Sequence, residues 1–304
     1  MKAVICSRGG TPDVLELREI EKPVPRDEQV LIRVCATTVT FGDAMLRRMR
    51  GPLRWIFGLA FGMGRNTILG HEFAGVIEIA GKRVSRFEVG DRVFGSTGKR
   101  GGAHAEYICQ PQDGMLVTMP ASASFEQAAA VPIGANTALV ILRKAGILKE
   151  RKVLVYGASG SVGTYAVQLA RHFEAEVTGV CSTPNLELVE SLSGQQALDY
   201  TKVDFTQTGE RYDVIFDAVG KLSPQAAQAA LHKDGKFLTV NSPTSEKTED
   251  LHFLKELVEA GELKPVIDRT YPLEAIREAH AYVDLGHKRG NVVIQVCRHA
   301  AGSA

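Results

Sequence analysis

Along the first 120 residues, short apolar runs rich in β-branched side chains alternate with Gly, Pro and Asp punctuation, which predicts strands over 2–7, 29–36, 74–80 and 105–109. The breaks are explicit at Lys22-Pro23-Val24-Pro25 and Val89-Gly90-Asp91-Arg92. At Ser124 the period changes. Ser124 is placed to cap a helix over 126–130, and 134–145 reads as a second helix stopped by Gly146. Strands then take turns with helices: strands over 152–156, 176–181, 197–200, 212–217 and 236–240, helices over 162–173, 186–192 and 224–231. Repetition at this spacing predicts a parallel sheet covered on both faces. A helix over 251–260 follows, and strand character returns over 264–269 and 291–297. The pattern predicts an α/β chain in which a β-rich unit, 1–123 rejoined by 265–304, flanks a doubly wound unit, 124–264.

The most informative stretch follows the strand at 152–156. It runs Gly157-Ala158-Ser159-Gly160-Ser161-Val162-Gly163 and opens a helix. Its last six residues are the dinucleotide fingerprint G-x-G-x-x-G with Ala158 in the first glycine place. Gly160 lets the backbone approach a pyrophosphate, Gly163 lets the helix pack closely on the strand, and the helix N-terminus offers N–H groups and positive dipole to the anion. No Gly-Lys-Ser/Thr follows, so this is not a Walker loop. Ser161 stands where a G-x-S-x-G nucleophile elbow needs its last glycine.

The second strand ends Gly179-Val180-Cys181-Ser182-Thr183-Pro184-Asn185, with no carboxylate at its tip. NAD enzymes usually carry an acid there for the ribose 2′-OH. Ser182, Thr183 and Asn185 can instead donate hydrogen bonds to a 2′-phosphate, so the expected coenzyme is NADPH. No Lys or Arg occurs from Ser182 to Thr201, which leaves Lys202 and Arg171 as candidate cations. Tyr200, Ala218, Val219, Asn241, Ser242 and Asn291 complete the expected coenzyme-binding set.

A length of 304 residues suits about two domains. With 36 Lys+Arg against 35 Asp+Glu, a net charge of +1 argues against nucleic acid as a partner. The apolar stretch 53–63 is interrupted by Arg54 and falls short of the ~20 residues that span a bilayer, so no membrane partner is expected. The opening residues MKAVICSRGG lack a secretory signal's apolar region. Five cysteines (Cys6, Cys35, Cys109, Cys181, Cys297) are scattered without a C-x-x-C pair, so they spell neither a disulfide framework nor a sequence-local zinc site. A reduced, soluble, cytoplasmic protein is expected.

The series Leu69-Gly70-His71-Glu72-Phe73-Ala74-Gly75, Val89-Gly90-Asp91-Arg92-Val93, Gly101-Gly102-Ala103-His104-Ala105-Glu106-Tyr107, 128–132, 157–163 and Asp217-Ala218-Val219-Gly220 resembles the medium-chain dehydrogenase/reductase superfamily. Within it the likeness is to the zinc-independent, quinone-oxidoreductase-like branch, and it covers nearly the whole chain in order. The resemblance implies a GroES-like β-barrel domain joined to a Rossmann domain, with the active site in the cleft between them. It places Thr137 against the nicotinamide, and Thr40 where relatives often carry Asn. The three zinc-ligand places of the family's alcohol dehydrogenases correspond to Thr40, His71 and Ile133, of which only His71 is a ligand type, whereas catalytic zinc needs three protein ligands. The segment 95–104 also lacks the cysteines of the family's structural-zinc lobe. His71 is therefore expected to be a polar residue hydrogen-bonded to Glu72 or to backbone, and no metal is expected.

Without a Lewis acid, hydride delivery to an isolated carbonyl lacks charge stabilisation. A quinone or an α,β-unsaturated carbonyl delocalises the incoming charge itself, so a few hydrogen-bond donors suffice. The expected reaction is hydride transfer from NADPH to such a small-molecule acceptor, with Thr40, Asp43, His71 and Thr137 as candidate catalytic residues. Thr40 and Asp43 read equally well as a turn after a strand. No Tyr is followed four positions later by Lys, which excludes the short-chain dehydrogenase motif. One alternative is an enoyl-thioester reductase, although relatives of that kind carry a Tyr donor and none lies between Met1 and Glu106. A different class is a non-catalytic NADPH-binding sensor or scaffold. The stretch 52–63 reads as an apolar lid or as a core helix with its loop. Finally, 241–250 is too short for the further strand through which relatives pair across a dimer axis, so a monomer or a differently built dimer is expected.

Overall fold

A computed structural model describes residues 1–51, 67–146 and 148–297; the apolar stretch 52–63 lies outside the described residues. The β-rich part of the chain forms β1 (Lys2–Cys6), β2 (Leu15–Glu19), β3 (Gln29–Thr38), α1 (Phe41–Arg48), β4 (Thr67–Ile68), β5 (Glu72–Ala80), β6 (Arg92–Ser96), β7 (Tyr107–Pro111), β8 (Leu116–Thr118) and α2 (Phe125–Ala129). At its centre, β3 pairs antiparallel with both β5 and β7. It is buried along most of its length because its β-branched and small residues pack on Phe73, Ile77 and Phe87.

The middle of the chain forms α3 (Gly134–Ala145), β9 (Lys152–Tyr156), α4 (Ser161–His172), β10 (Glu176–Cys181), α5 (Leu186–Ser193), β11 (Ala197–Asp199), β12 (Tyr212–Asp217), α6 (Pro224–Ala230) and β13 (Leu231–Thr239). Its strands make one parallel sheet in the order β11-β10-β9-β12-β13, with β9 central and Val153, Leu154 and Val155 fully buried. That order reverses at β9, so the carboxyl ends of β9 and β12 flank a topological switch point. Among the described residues this sheet ends on β13, with no sixth strand.

The last part forms α7 (Thr248–Glu259), β14 (Ile267–Pro272), α8 (Ile276–Asp284) and β15 (Asn291–Gln295). β15 joins β3 antiparallel, with Val293 opposite Thr38, and β14 lies parallel beside β15. The chain thus divides into two compact units: Met1–Ile133 with Lys247–Lys255 and Ile267–Ala304, and Gly134–Glu246 with Glu256–Val266.

Some elements differ from the sequence reading. The tail strand lies at Ile267–Pro272 rather than 264–269, and β13 begins directly after α6. The sequence reading assigns no element to α1, and a turn is only one of its two readings of Thr40 and Asp43. The buried face of α1 is Asp43, Ala44, Leu46 and Arg47, so half of its inward positions are charged and the apolar period is hidden. Arg47 is fully buried, donating to the Gly10 carbonyl, the Asp284 carboxylate and His280 Nδ1. Those partners offset the desolvation that would otherwise forbid it there.

Candidate active site

In the first unit, the strand β3 delivers the chain to Thr40, which caps α1. Thr40 Oγ1 accepts from the Asp43 backbone N–H at 3.0 Å, while Asp43 Oδ2 accepts from the Thr40 N–H at 2.9 Å and hydroxyl at 2.6 Å. This is a capping box, with Asp43 in the first turn where the helix dipole favours an anion. The other oxygen, Oδ1, accepts from the Gly70 N–H at 2.9 Å and lies 2.7 Å from His71 Nδ1. Thr40, Asp43 and His71 are therefore one connected set, and the turn reading of Thr40 and Asp43 gives way to a helix cap that also binds His71.

Burial alone would push the Asp43 carboxyl up. The adjacent His71 and the donated hydrogen bonds outweigh it and hold Asp43 well below the usual carboxylate range. Asp43 is ionised, and it orients His71 with a proton on Nδ1.

His71, expected to bond to Glu72 or to backbone, pairs through Nδ1 with Asp43. Neighbouring residues at a strand start point to opposite faces, so β5 turns Glu72 inward, away from the His71 side. There Glu72 accepts from the Thr38 hydroxyl and, at 2.6 Å, from the Ile133 N–H. Desolvation pushes its carboxyl up to about 7 despite those bonds. Further in, His104 Nε2 lies 2.9 Å from the Thr38 carbonyl, which only accepts, so Nε2 carries the proton. His104 meets the ring of His280 edge-on, with centroids 5.6 Å apart. Among the described residues neither His104 Nδ1 nor His280 Nε2 has a hydrogen-bond partner. Sequence reasoning missed His104 and His280 as site neighbours.

The donor set does not fit a catalytic zinc. Thr40 is committed to the cap and Ile133 offers only its backbone, so of the three places His71 alone presents a ligand, through Nε2. Among the described residues no group of three or more His, Cys, Asp or Glu side chains is placed to hold a metal ion.

In the second unit the expected dinucleotide residues gather at the carboxyl ends of the sheet. Gly157 has φ +79°, and a Cβ there would meet Val219 Cγ2 at 2.1 Å. A Cβ on Gly163 would come within 2.1 Å of the Gly157 carbonyl oxygen, so α4 packs directly on the turn. Gly160 is different: a Cβ there would meet no protein atom closer than 3.6 Å. The space beside Gly160, at the start of α4 where N–H groups lack intrahelical partners, fits a diphosphate. Asp217, buried at the end of β12, accepts from the N–H groups of Val219, Gly220 and Leu222 at 3.0, 2.9 and 2.8 Å, which folds the Ala218–Val219 loop over Gly157.

Asn241 donates to the Gly220 carbonyl at 3.3 Å, and the Ser242 N–H donates to the Thr239 carbonyl. Asn185 bonds both Ser159 and Ser182 at 3.2 and 3.1 Å, joining the turn to the tip of β10. Thr137 is half-buried on α3, one turn beyond Gly134, whose Cβ would lie 2.7 Å from Ser161 Oγ. Asn291 begins β15 and so belongs to the first unit.

One premise about the coenzyme is corrected. A carboxylate does stand beside the tip of β10, brought by the neighbouring strand: Asp199 pairs with Cys181, and its Oδ2 accepts from Thr183 Oγ1 at 2.5 Å. Its other oxygen takes the Thr201 N–H and hydroxyl, and Lys202 Nζ lies 3.6 Å away. Those hydrogen bonds, Thr183 first, hold Asp199 down to about 2. The Tyr200 N–H donates to the Cys181 carbonyl, and its side chain is exposed at the same tip. Of the two candidate cations, Lys202 is here, whereas Arg171 lies against Gly194 at the end of α5.

Comparison with known proteins gives a consistent picture. Residues 26–121 match the alcohol dehydrogenase GroES-like domain, and residues 161–264 and 241–294 match two models described as zinc-binding dehydrogenase. The chain is 30% identical to the 2-methylene-furan-3-one reductase of Solanum lycopersicum over 97% of its own length and 79% of that protein's. Identity and coverage are the same with the NADPH-dependent alkenal/one oxidoreductase of Arabidopsis thaliana. The quinone oxidoreductase structure from Coxiella burnetii superposes with a TM-score of 0.85 at 27% identity, covering 98% of this chain and 99% of that one.

Proposed function

The chain belongs to the medium-chain dehydrogenase/reductase superfamily, in its quinone-oxidoreductase-like branch, and we propose that it is an NADPH-dependent reductase of quinones or α,β-unsaturated carbonyls that works without zinc. The observation that carries this reading is the Thr40–Asp43–His71 set: a buried anion orienting an imidazole, at places whose other members cannot ligate a metal. Such a set supplies hydrogen bonds and a proton. That suits an acceptor able to spread charge over a conjugated system better than an isolated carbonyl, which lacks such delocalisation. The relatives named for alkenal/one and furanone reduction and for quinone oxidoreduction support the same acceptor class.

The residues fit a nicotinamide dinucleotide, and with Asp199 beside the tip the choice of NADPH rests on Lys202 and on the NADPH-dependent relative. Gly157, Ser159, Gly160, Ser161, Val162 and Gly163 would hold its diphosphate, with Ser182, Thr183, Tyr200 and Lys202 at the 2′-phosphate, Lys202 balancing the charge of Asp199. When bound, this coenzyme supplies the hydride. The chain's own part is to position and to protonate. Asp43 keeps its charge and fixes which nitrogen of His71 faces it. His71 is then the group that holds the proton needed by an enolate or hydroquinone anion.

The test is NADPH oxidation with a naphthoquinone, a linear enone and an enoyl thioester, with and without a chelator, beside a coenzyme titration. Turnover of the first two, unchanged by chelation, is the expected result. Turnover of the thioester alone would assign an enoyl reductase, binding without turnover a sensor, and loss on chelation a metal enzyme. We propose further that the protein is a monomer or an atypical dimer, because the parallel sheet ends on β13 among the described residues. Light scattering showing a tight dimer with a shared sheet would refute that.

A further inference from the structure

Cys35 and Cys297 are 262 positions apart in sequence and adjacent in the fold. The antiparallel pairing of β15 with β3 continues past its last registered pair, Gln295 with Ala36, into a bulge at which the N–H groups of both Val296 and Cys297 donate to the Cys35 carbonyl, at 2.9 and 3.3 Å. Residues facing across antiparallel strands have Cα atoms about 4.5–5.5 Å apart. A disulfide needs ~4.4–6.8 Å. The two side chains are near enough for each to influence the other's proton, and Arg33 Nη1 lies 3.9 Å from the Cys35 sulfur. The two members are unequal: Cys35 is 2% exposed, whereas Cys297 is half-buried. Neither thiol belongs to the catalytic set or the dinucleotide turn.

We infer that Cys35 and Cys297 form a redox-sensitive dithiol, which hydroperoxides convert to an intramolecular disulfide tying the end of β15 to β3. Cys297, the more accessible, is oxidised first: hydrogen peroxide transfers one oxygen to its sulfur, giving a sulfenic acid and one water. The Cys35 sulfur then attacks that sulfur, forming the S–S bond, and its proton leaves with the sulfenic hydroxyl as a second water. Two thiols lose two electrons to one peroxide, and an added dithiol reverses the step. Burial first, then the neighbouring thiol, push Cys35 up to about 12, so it meets oxidant after Cys297 and gives up its proton only as it attacks the sulfenic sulfur. The remaining cysteines cannot substitute. Cys6 donates to the Arg8 carbonyl at 3.4 Å, Cys109 lies on β7 opposite Leu31, and Cys181 lies on β10 in the second unit.

The experiment treats the full chain with hydrogen peroxide and blocks remaining thiols under denaturing conditions. Expected are a loss of about 2 Da, a tryptic species joining peptides 34–47 and 290–298, and a higher melting midpoint, all reversed by dithiothreitol. Cys297→Ser should abolish the linked species, and Cys109→Ser should leave it intact. Because Cys35 is buried and its variants are at risk of misfolding, Cys297→Ser carries the test. A Cys297 found only as a sulfinic acid or mixed disulfide, with Cys35 still open to alkylation after unfolding, would overturn the inference. So would a covalent dimer in place of the intramolecular link.

Discussion

Asp43 Oδ1 and His71 Nδ1 stand 2.7 Å apart, between a helix cap and the residue just before β5. All the hydrogen-bonding directions of that carboxylate are occupied by donors: Thr40 twice, Gly70 once and His71 once. An anion so enclosed cannot turn away from the imidazole, and the imidazole inherits its orientation.

Replacing His71 by Gln should lower kcat for a quinone by about 100-fold, the scale of a lost general acid, while leaving the Kd for NADPH unchanged. Asp43→Asn should cost activity similarly and also about 1–3 kcal/mol of stability, because its amide NH₂ must face a backbone or hydroxyl donor. Steady-state kinetics beside a coenzyme titration and urea unfolding separate the two effects. A normal kcat in His71→Gln would remove the residue from the chemistry.

Two glycine variants should behave oppositely. Gly163→Ala places a methyl 2.1 Å from the Gly157 carbonyl oxygen and should destabilise the fold. Gly160→Ala meets nothing nearer than 3.6 Å and should fold with an unchanged melting midpoint, yet bind NADPH at least ~10-fold more weakly. A Gly160→Ala enzyme with normal coenzyme affinity would place the diphosphate elsewhere.

Lys202→Ala should raise the KM for NADPH by about 10-fold or more, the worth of a charge-assisted hydrogen bond, and leave the KM for NADH alone. Equal effects on both coenzymes would mean that Lys202 serves only Asp199.

The pH dependence of stability carries the signature of Glu72. Its folded value, raised from 4.5 to about 7, means that the native state binds the extra proton between those two pH values. Its contribution is fully present below pH 4.5, is lost as pH rises towards 7 and is constant beyond, by at most ~3 kcal/mol. Glu72→Gln should therefore gain on the parent chain from pH 5 to pH 8. A constant difference across that range would contradict the shift.

His280 works in the other direction. Burial, helped by His104, takes it from 6.5 down to about 3, so the unfolded chain binds the extra proton below 6.5 and stability falls as the solution is acidified from there. His280→Gln should flatten that acid limb in unfolding measured from pH 7 to pH 4.

The strands and helices of the parallel sheet were legible because their periods are undisturbed: 152–156, 176–181 and 212–217 coincide with β9, β10 and β12. The glycine turn was legible for the same reason, since its chemistry is local. What escaped depends on contacts between distant segments. Arg47 disguises α1 because its neutralising partners, Asp284 and His280, lie more than 230 residues away. Asp199 reaches the tip of β10 only through parallel pairing, which no count of ~20 residues from the glycines reveals. Adjacency suggests Glu72 or local backbone as partners of His71, whereas strand alternation turns Glu72 inward and Asp43 arrives from a helix 28 residues earlier.

Asp217 has a consequence for how fast the protein can work. Because a side chain of the sheet itself pins three amides of the following loop, the wall beside Gly157 takes its shape from the protein's own bonds rather than from a visitor's. Docking then involves no folding step, and in rapid mixing its rate should climb in proportion to concentration without reaching a plateau.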